Sequence, residues 1–138
     1  DTTVAKATFS AIHAAISGGL LRSCHDLSEG GLAVAAAEMA MAGGLGMHLN
    51  LDAAAEISQD ALGTVGMLFS ESNTRFLVEL QEDQIDTFTE ILRRFGVPAC
   101  RVGTITNDQR LIVSRSDQSV LDVAIAAAKQ AWQEPLDW

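Results

Sequence analysis

The stretch HDLSEGGLAVAAAEMA, residues 25–40, crowds three titratable side chains, His25, Asp26 and Glu29, against a Gly30-Gly31 pair and then an alanine-rich run. The run from 32 to 41 has helical length and apolar spacing, and Gly43-Gly44 ends it. Asp26-Leu27-Ser28-Glu29 fits a capping box, with Asp26 at the N-cap and Glu29 at the third helical position; Ser28 is a rival N-cap. On that reading the acids satisfy free N–H groups and oppose the positive helix end. The cap does not explain the glycines. Each glycine in a first turn costs about 1 kcal/mol relative to alanine. A chain that accepts this twice needs close backbone approach, to another segment or to a ligand. Bare N–H groups at a helix start suit an anion such as phosphate. Asp26 and Glu29 could then hold Mg²⁺, which prefers carboxylates, waters and phosphate oxygens. The helix would anchor the turn in the core, with its N-terminus as the working end.

Working outward, residues 4–17 predict a helix with Thr3 as N-cap, stopped by Gly18-Gly19. Residues 20–25 predict a short strand. Met47, Leu49 and Leu51 alternate with His48 and Asn50, the pattern of a half-buried strand. Residues 52–66 are ambiguous, with a short helix expected around 59–62. A strand is expected over 76–80. Ile85, Phe88, Ile91, Leu92 and Phe95 mark an amphipathic helix closed by Gly96 and Pro98. Strands over 100–106 and 110–114 are joined by the turn Asn107-Asp108-Gln109. A last alanine-rich helix is expected over 119–132. The order α-β-α-β followed by β-α-β-β-α predicts an α/β (α+β) domain, partly ferredoxin-like. Its sheet should contain at least one parallel pair and carry helices on its faces.

The second polar constellation is LFSESNTR, residues 68–75, just ahead of the strand at 76–80. Ser70, Glu71 and Ser72 could hydrogen-bond a polar ligand, and Arg75 could clamp Glu71 or a phosphate. The plainer reading is a strand-entry loop with a local Glu71–Arg75 pair. His13 reads as a partly buried packing residue, and His48 as an outward strand residue without a visible partner. Cys24 and Cys100 read as small core residues. Met39, Met41 and Met47 read as core filler. Trp132 and Trp138 either pin the last helix or meet a partner.

Length and charge narrow the classes. The 138 residues suit a single domain. Nine basic residues against eighteen acidic ones, a net charge of −9, argue against a nucleic-acid face or a polybasic membrane contact. No apolar run approaches the ~18 residues of a membrane span. Two cysteines without C-x-x-C spacing give neither a zinc framework nor a disulfide scaffold, so a reduced, cytoplasmic setting is expected. The chain opens Asp1-Thr2-Thr3 and enters a helical pattern at once, as a piece of a longer chain would.

HDLSEGGLAVAAAEMA and LFSESNTRFLVEL together resemble the C-terminal domain of phosphoribosylformylglycinamidine synthases, in the aminoimidazole ribonucleotide synthetase superfamily. The resemblance spans essentially the whole chain and implies a three-layer α/β/α fold. It implies one domain, residues 1–138, of a C–N bond-forming ligase of purine biosynthesis. That enzyme converts formylglycinamide ribonucleotide, ATP, glutamine and water into formylglycinamidine ribonucleotide, ADP, phosphate and glutamate. ATP phosphorylates the amide oxygen and ammonia displaces the phosphate. The ammonia comes from a glutaminase domain or subunit, whose cysteine site has no match here.

The family synthetase is an internal duplication of an ATP-binding half-domain and a C-terminal-type half-domain, and this chain resembles the last of the four. In the earlier copy an Asp binds magnesium and a Ser-Glu-Ser-Gln loop holds substrate. The aligned positions are Asp26, the implied metal ligand, and Ser70-Glu71-Ser72, with Asn73 in place of the Gln. His25 and Ser28-Glu29-Gly30-Gly31 also depart from that copy, so the second copy could face a structural nucleotide site or none. His25, Asp26, Ser28, Glu29, Gly30 and Gly31 are therefore expected to face nucleotide or metal. Ser70, Glu71, Ser72 and Arg75 form the substrate-loop counterpart, and no catalytic acid or base is assigned. The implied cofactors are ATP or ADP and Mg²⁺. The implied partners are the rest of the synthetase chain and the glutaminase, with a homodimer left open. With no phosphate loop of its own, the domain is expected to be inactive alone. The alternatives are another ATP-using member of the superfamily and a non-catalytic small-molecule-sensing module.

Overall fold

The structure is a computed structural model and describes residues 2–58 and 62–136. Helix α1 (Thr2–Ser17) buries Thr8, Ala11, Ile12 and Ala15, one stripe at three- and four-residue spacing. Strand β1 (Leu21–Asp26), helix α2 (Gly31–Gly43) and strand β2 (Gly46–Asn50) follow. Two short helices come next, α3 (Leu51–Ile57) and α4 (Thr64–Phe69). Then come strand β3 (Phe76–Leu80), helix α5 (Ile85–Phe95) and strands β4 (Gly103–Thr106), β5 (Arg110–Arg115) and β6 (Gln118–Ala124). Helix α6 (Ile125–Gln133) closes the described chain with a 3₁₀ turn at Glu134–Leu136.

The expected mixed α/β architecture holds, and the strands divide into two sheets. β1 and β3 pair antiparallel, with His25 opposite Leu77 and Asp26 opposite Phe76. The other sheet has the order β4-β2-β5-β6. Its parallel pair is β2–β5; the step from β3 through α5 to β4 passes from one sheet to the other and closes no parallel pair.

Two hydrophobic clusters follow from this division. One gathers Ala33, Ala36 and Ala40 of α2, Met67 and Leu68 of α4, and Leu49, Leu111 and Val113 of the four-stranded sheet. The other joins Ala11, Ile12 and Ala15 of α1 to Phe88 and Leu92 of α5, over Phe76, Val78 and Leu80. β3 serves both, because successive side chains of a strand point to opposite faces: Leu77 belongs to the first cluster while Phe76, Val78 and Leu80 line the second. Small alanine faces let α2 lie close to its neighbours, and Ala36 has no exposed surface.

Several expectations change. Residues 119–124 are strand, not helix: Ser116 and Asp117, with φ of 49° and 59°, make a two-residue hairpin turn that returns the chain along β5. β4 starts at Gly103, not at residue 100. Leu51 starts α3, capped by the Asn50 side chain accepting from the Asp52 N–H at 2.8 Å, rather than ending β2. Of the short helix expected around 59–62, residues 59–61 lie outside the described residues, and Leu62 is not helical. Among the described residues no helix is long and apolar enough to cross a membrane.

Candidate functional site

The two polar constellations lie far apart in sequence and meet at one end of the β1–β3 pair, because that pairing sets Asp26 beside Phe76. The Leu27 N–H donates to the Arg75 carbonyl at 2.9 Å. The Gly30 N–H donates to Glu71 Oε1 at 3.0 Å. The expected capping box does not form. Gly30 and Gly31 take left-handed φ values of 75° and 60°, which kinks the chain and delays the helix to Gly31. Asp26 is left on the last residue of β1, and no local side chain caps the helix. Glu71, 41 residues away, reaches the cap position instead.

Gly31 is required by close approach. A Cβ there would stand 2.6 Å from the Ser70 carbonyl oxygen and 2.9 Å from that of Leu68. This is the segment-to-segment alternative for the glycine pair, with the second constellation as the segment.

Arg75 does not pair with Glu71. Its Nη2 donates to the Ser70 carbonyl and, at 2.9 Å, to the Ser70 hydroxyl, while its Nε donates to the Ser72 carbonyl at 3.4 Å. Burial pushes the guanidinium below its ordinary pKa. Arg75 thus curls the 70–75 loop around itself. Thr74 sits at φ 70°, a conformation that costs a β-branched residue about 1–2 kcal/mol.

His25 is occupied on both ring nitrogens. Nε2 lies 2.8 Å from Glu38 Oε2, and Nδ1 lies 2.6 Å from the main-chain carbonyl oxygen of Asp26 and 3.7 Å from its carboxylate. Glu38 was not singled out from the sequence; the available signal was that it is the one charged residue in α2. The side chains turned outward on this rim are Asp26, with 64% of its side chain exposed, and Ser28, Glu29, Glu71, Ser72 and Asn73. The Cys24 thiol, two residues from Asp26, is pushed above its ordinary pKa first by the neighbouring atoms that partly desolvate it, although the residue as a whole is exposed, and then by the Asp26 carboxylate.

The donor set is oxygen throughout: carboxylates of Asp26 and Glu29, and hydroxyls of Ser28 and Ser72. Such hard donors fit a magnesium ion that keeps waters and shares phosphate oxygens, a mode needing only one or two carboxylates. Among the described residues no three His, Cys, Asp or Glu side chains gather into an all-protein metal cage.

The other single residues sort as follows. His13 is exposed rather than partly buried, and Cys24 is exposed rather than core. Cys100 is half-buried. His48 has a partner, donating from Nε2 to Asp108. The Thr106 hydroxyl, ahead of the Arg110 N–H and His48, holds the Asp108 carboxyl below its ordinary pKa. Met47 is buried, and Met39 and Met41 pack partly against the larger core. Trp132 is 56% exposed beside an apolar groove between α2 and α6.

Residues 2–116 match the family model described as AIR synthase related protein, C-terminal domain. The phosphoribosylformylglycinamidine synthase subunit PurL of Deinococcus radiodurans is 38% identical over 137 residues, 99% of this chain and 17% of that protein. The same-named subunit of Corynebacterium ammoniagenes is 40% identical over 112 residues, 81% of this chain and 13% of that protein. The chain therefore spans about a sixth of the length of the curated relatives it matches. A crystal structure of phosphoribosylformylglycinamidine synthase II from Thermotoga maritima superposes with a TM-score of 0.83 at 23% identity, covering 93% of this chain and 22% of that one. The T. maritima PurL complexed with ATP gives 0.81 at 22% identity, covering 89% of this chain and 21% of that one. A family model matched over most of the chain, and a fold shared with those synthases, lead to one conclusion: this chain belongs to the family of AIR synthase related protein C-terminal domains.

Proposed function

We propose that the chain is the C-terminal domain of an ATP-dependent amidoligase of the phosphoribosylformylglycinamidine synthase type, and that the exposed Asp26, Ser28 and Glu29 side chains face a magnesium-bound nucleotide. The observation that carries this reading is the meeting of the two constellations, with Glu71 bonded to the Gly30 N–H and the Asp26 carboxylate exposed beside His25 Nδ1. The 38% identical relative is named as a subunit of that synthase, and related structures are described as complexes with ATP, ADP and AMPPCP. One is described as complexed with FGAR and another as PurLQS. The same likeness supports reading it as part of a cytoplasmic enzyme, with the rest of the synthetase chain and a glutaminase as partners.

In this reading Asp26 and Glu29 would hold the ion, and the Ser28 and Ser72 hydroxyls would serve as hydrogen-bonding groups toward the nucleotide. Bound magnesium would supply charge neutralisation to the phosphates. Arg75 acts from behind, keeping Ser70 and Ser72 in place. Phosphoryl transfer needs ATP, metal and acceptor held in line. These residues are one side of such an arrangement, so the domain alone should not turn over. Titration calorimetry of Mg-ADP into the full-length protein tests the reading. Asp26→Ala with Glu29→Ala should weaken nucleotide binding by about tenfold or more while the thermal midpoint stays near wild type. Unchanged affinity would reject the assignment.

A further inference from the structure

The peptide group between Asp26 and Leu27 is held at both of its polar ends. Its carbonyl oxygen lies 2.6 Å from His25 Nδ1, which also stands 3.7 Å from the Asp26 carboxylate. Its N–H, on Leu27, donates to the Arg75 carbonyl at 2.9 Å. The ring that holds the carbonyl is in turn held by Glu38 of α2 at 2.8 Å. A peptide plane contacted at its oxygen and bonded at its nitrogen is restrained, and with it the backbone from which the Asp26 side chain leaves the end of β1. The histidine side chain is 29% exposed and that of Glu38 35%, whereas that of Asp26 is 64% exposed. The exposed carboxylate is thus steered by a more sheltered pair.

We propose that His25 is a positioning residue for Asp26, and that Glu38 positions His25. This goes one step deeper than the proposed function and rests on its claim that Asp26 faces the magnesium-bound nucleotide. The ring is a bracket between α2 and Asp26, with Nε2 against Glu38 and Nδ1 against both the carbonyl and the carboxylate of Asp26. Partners that orient a ligating group, without touching the metal, commonly change affinity by about 10–100-fold when removed.

A double-mutant cycle in the full-length protein tests this, with Mg-ADP dissociation constants from calorimetry as the readout. His25→Ala should weaken binding by about tenfold in the wild-type background. It should change binding by less than about twofold in an Asp26→Ala background, because a residue that acts through Asp26 has nothing left to orient. Glu38→Gln, which keeps the volume of the side chain, should weaken binding by about threefold and lose that effect in the Asp26→Ala background in the same way. If His25→Ala does not fold, the Glu38→Gln arm decides alone. Effects that add between His25 and Asp26, or between Glu38 and Asp26, would show a general structural tie between β1 and α2 and overturn the proposal. Full affinity in Asp26→Ala would instead overturn the underlying reading, and this proposal with it.

Discussion

The four-stranded sheet carries its own core, whereas the β1–β3 pair borrows one. Leu111 and Val113 in the centre of the larger sheet are 1% and 0% exposed, flanked by strands on both sides and covered by α2. The smaller pair has no central strand, and two strands alone are marginal in water. It stands because α1 and α5 cover one face and α2 the other. The candidate site grows from this dependent pair, at the end where β1 leaves and β3 enters.

The sharpest way to break this contrast is to open each core in turn. Leu111→Ala should cost about 3–5 kcal/mol in urea unfolding, and Leu92→Ala in the smaller core about 2–3 kcal/mol. Equal losses would mean the two cores are equally supported. Gly31→Ala probes the seam between the constellations and should cost about 2–3 kcal/mol, from its left-handed backbone and the nearby Ser70 carbonyl. A neutral result would show that the 70–75 loop can move aside. Ala36→Leu on α2 should destabilise by about 1–3 kcal/mol through overpacking, since Ala36 has no exposed surface. A wild-type midpoint would show slack between α2 and its neighbours.

The smallest effect is expected on the outer surface of α5. Hydrogen bonds from Arg93 and Arg94 hold the Glu90 carboxyl down at about 2, from an ordinary value of 4.5. A depressed folded-state pKa stabilises above the unfolded value and loses that contribution as pH falls from about 4.5 towards 2. The pair is solvent-exposed, so the effect should be slight. Thermal midpoints across that window should fall less steeply in Glu90→Gln than in wild type. Parallel slopes would remove Glu90 from the acid sensitivity of the smaller core.

Where periodicity was strong and unmixed, the chain was legible. The alternation of Phe76, Val78 and Leu80 and the helical spacing of Ile85, Phe88, Leu92 and Phe95 match β3 and α5 to the residue. Where composition misled, it did so for a physical reason. Ala124, Ala126, Ala127 and Ala128 suit a helix, and they hid the two-residue alternation of Leu121 and Val123 just before them. The turn at Ser116-Asp117 was the better signal. At the site, the residues of the rim could be read from their types, but their connections could not. A capping box is a local pattern, and the left-handed glycines replaced it with a carboxylate from 41 residues away. No one-dimensional spacing encodes that, nor the reach of Glu38 to His25.

Strand β3 has Phe76, Val78 and Leu80 on one side and Leu77 on the other, each side committed to a different partner. That makes it a checksum on assembly. A slip of one residue would turn Leu77 and Glu79 towards α1 and α5 and turn Phe76, Val78 and Leu80 towards α2, spoiling both halves in one error. A mispaired chain therefore has no partly correct refuge in which to linger. The two halves should melt in step, with tertiary signals from either side falling along a single curve.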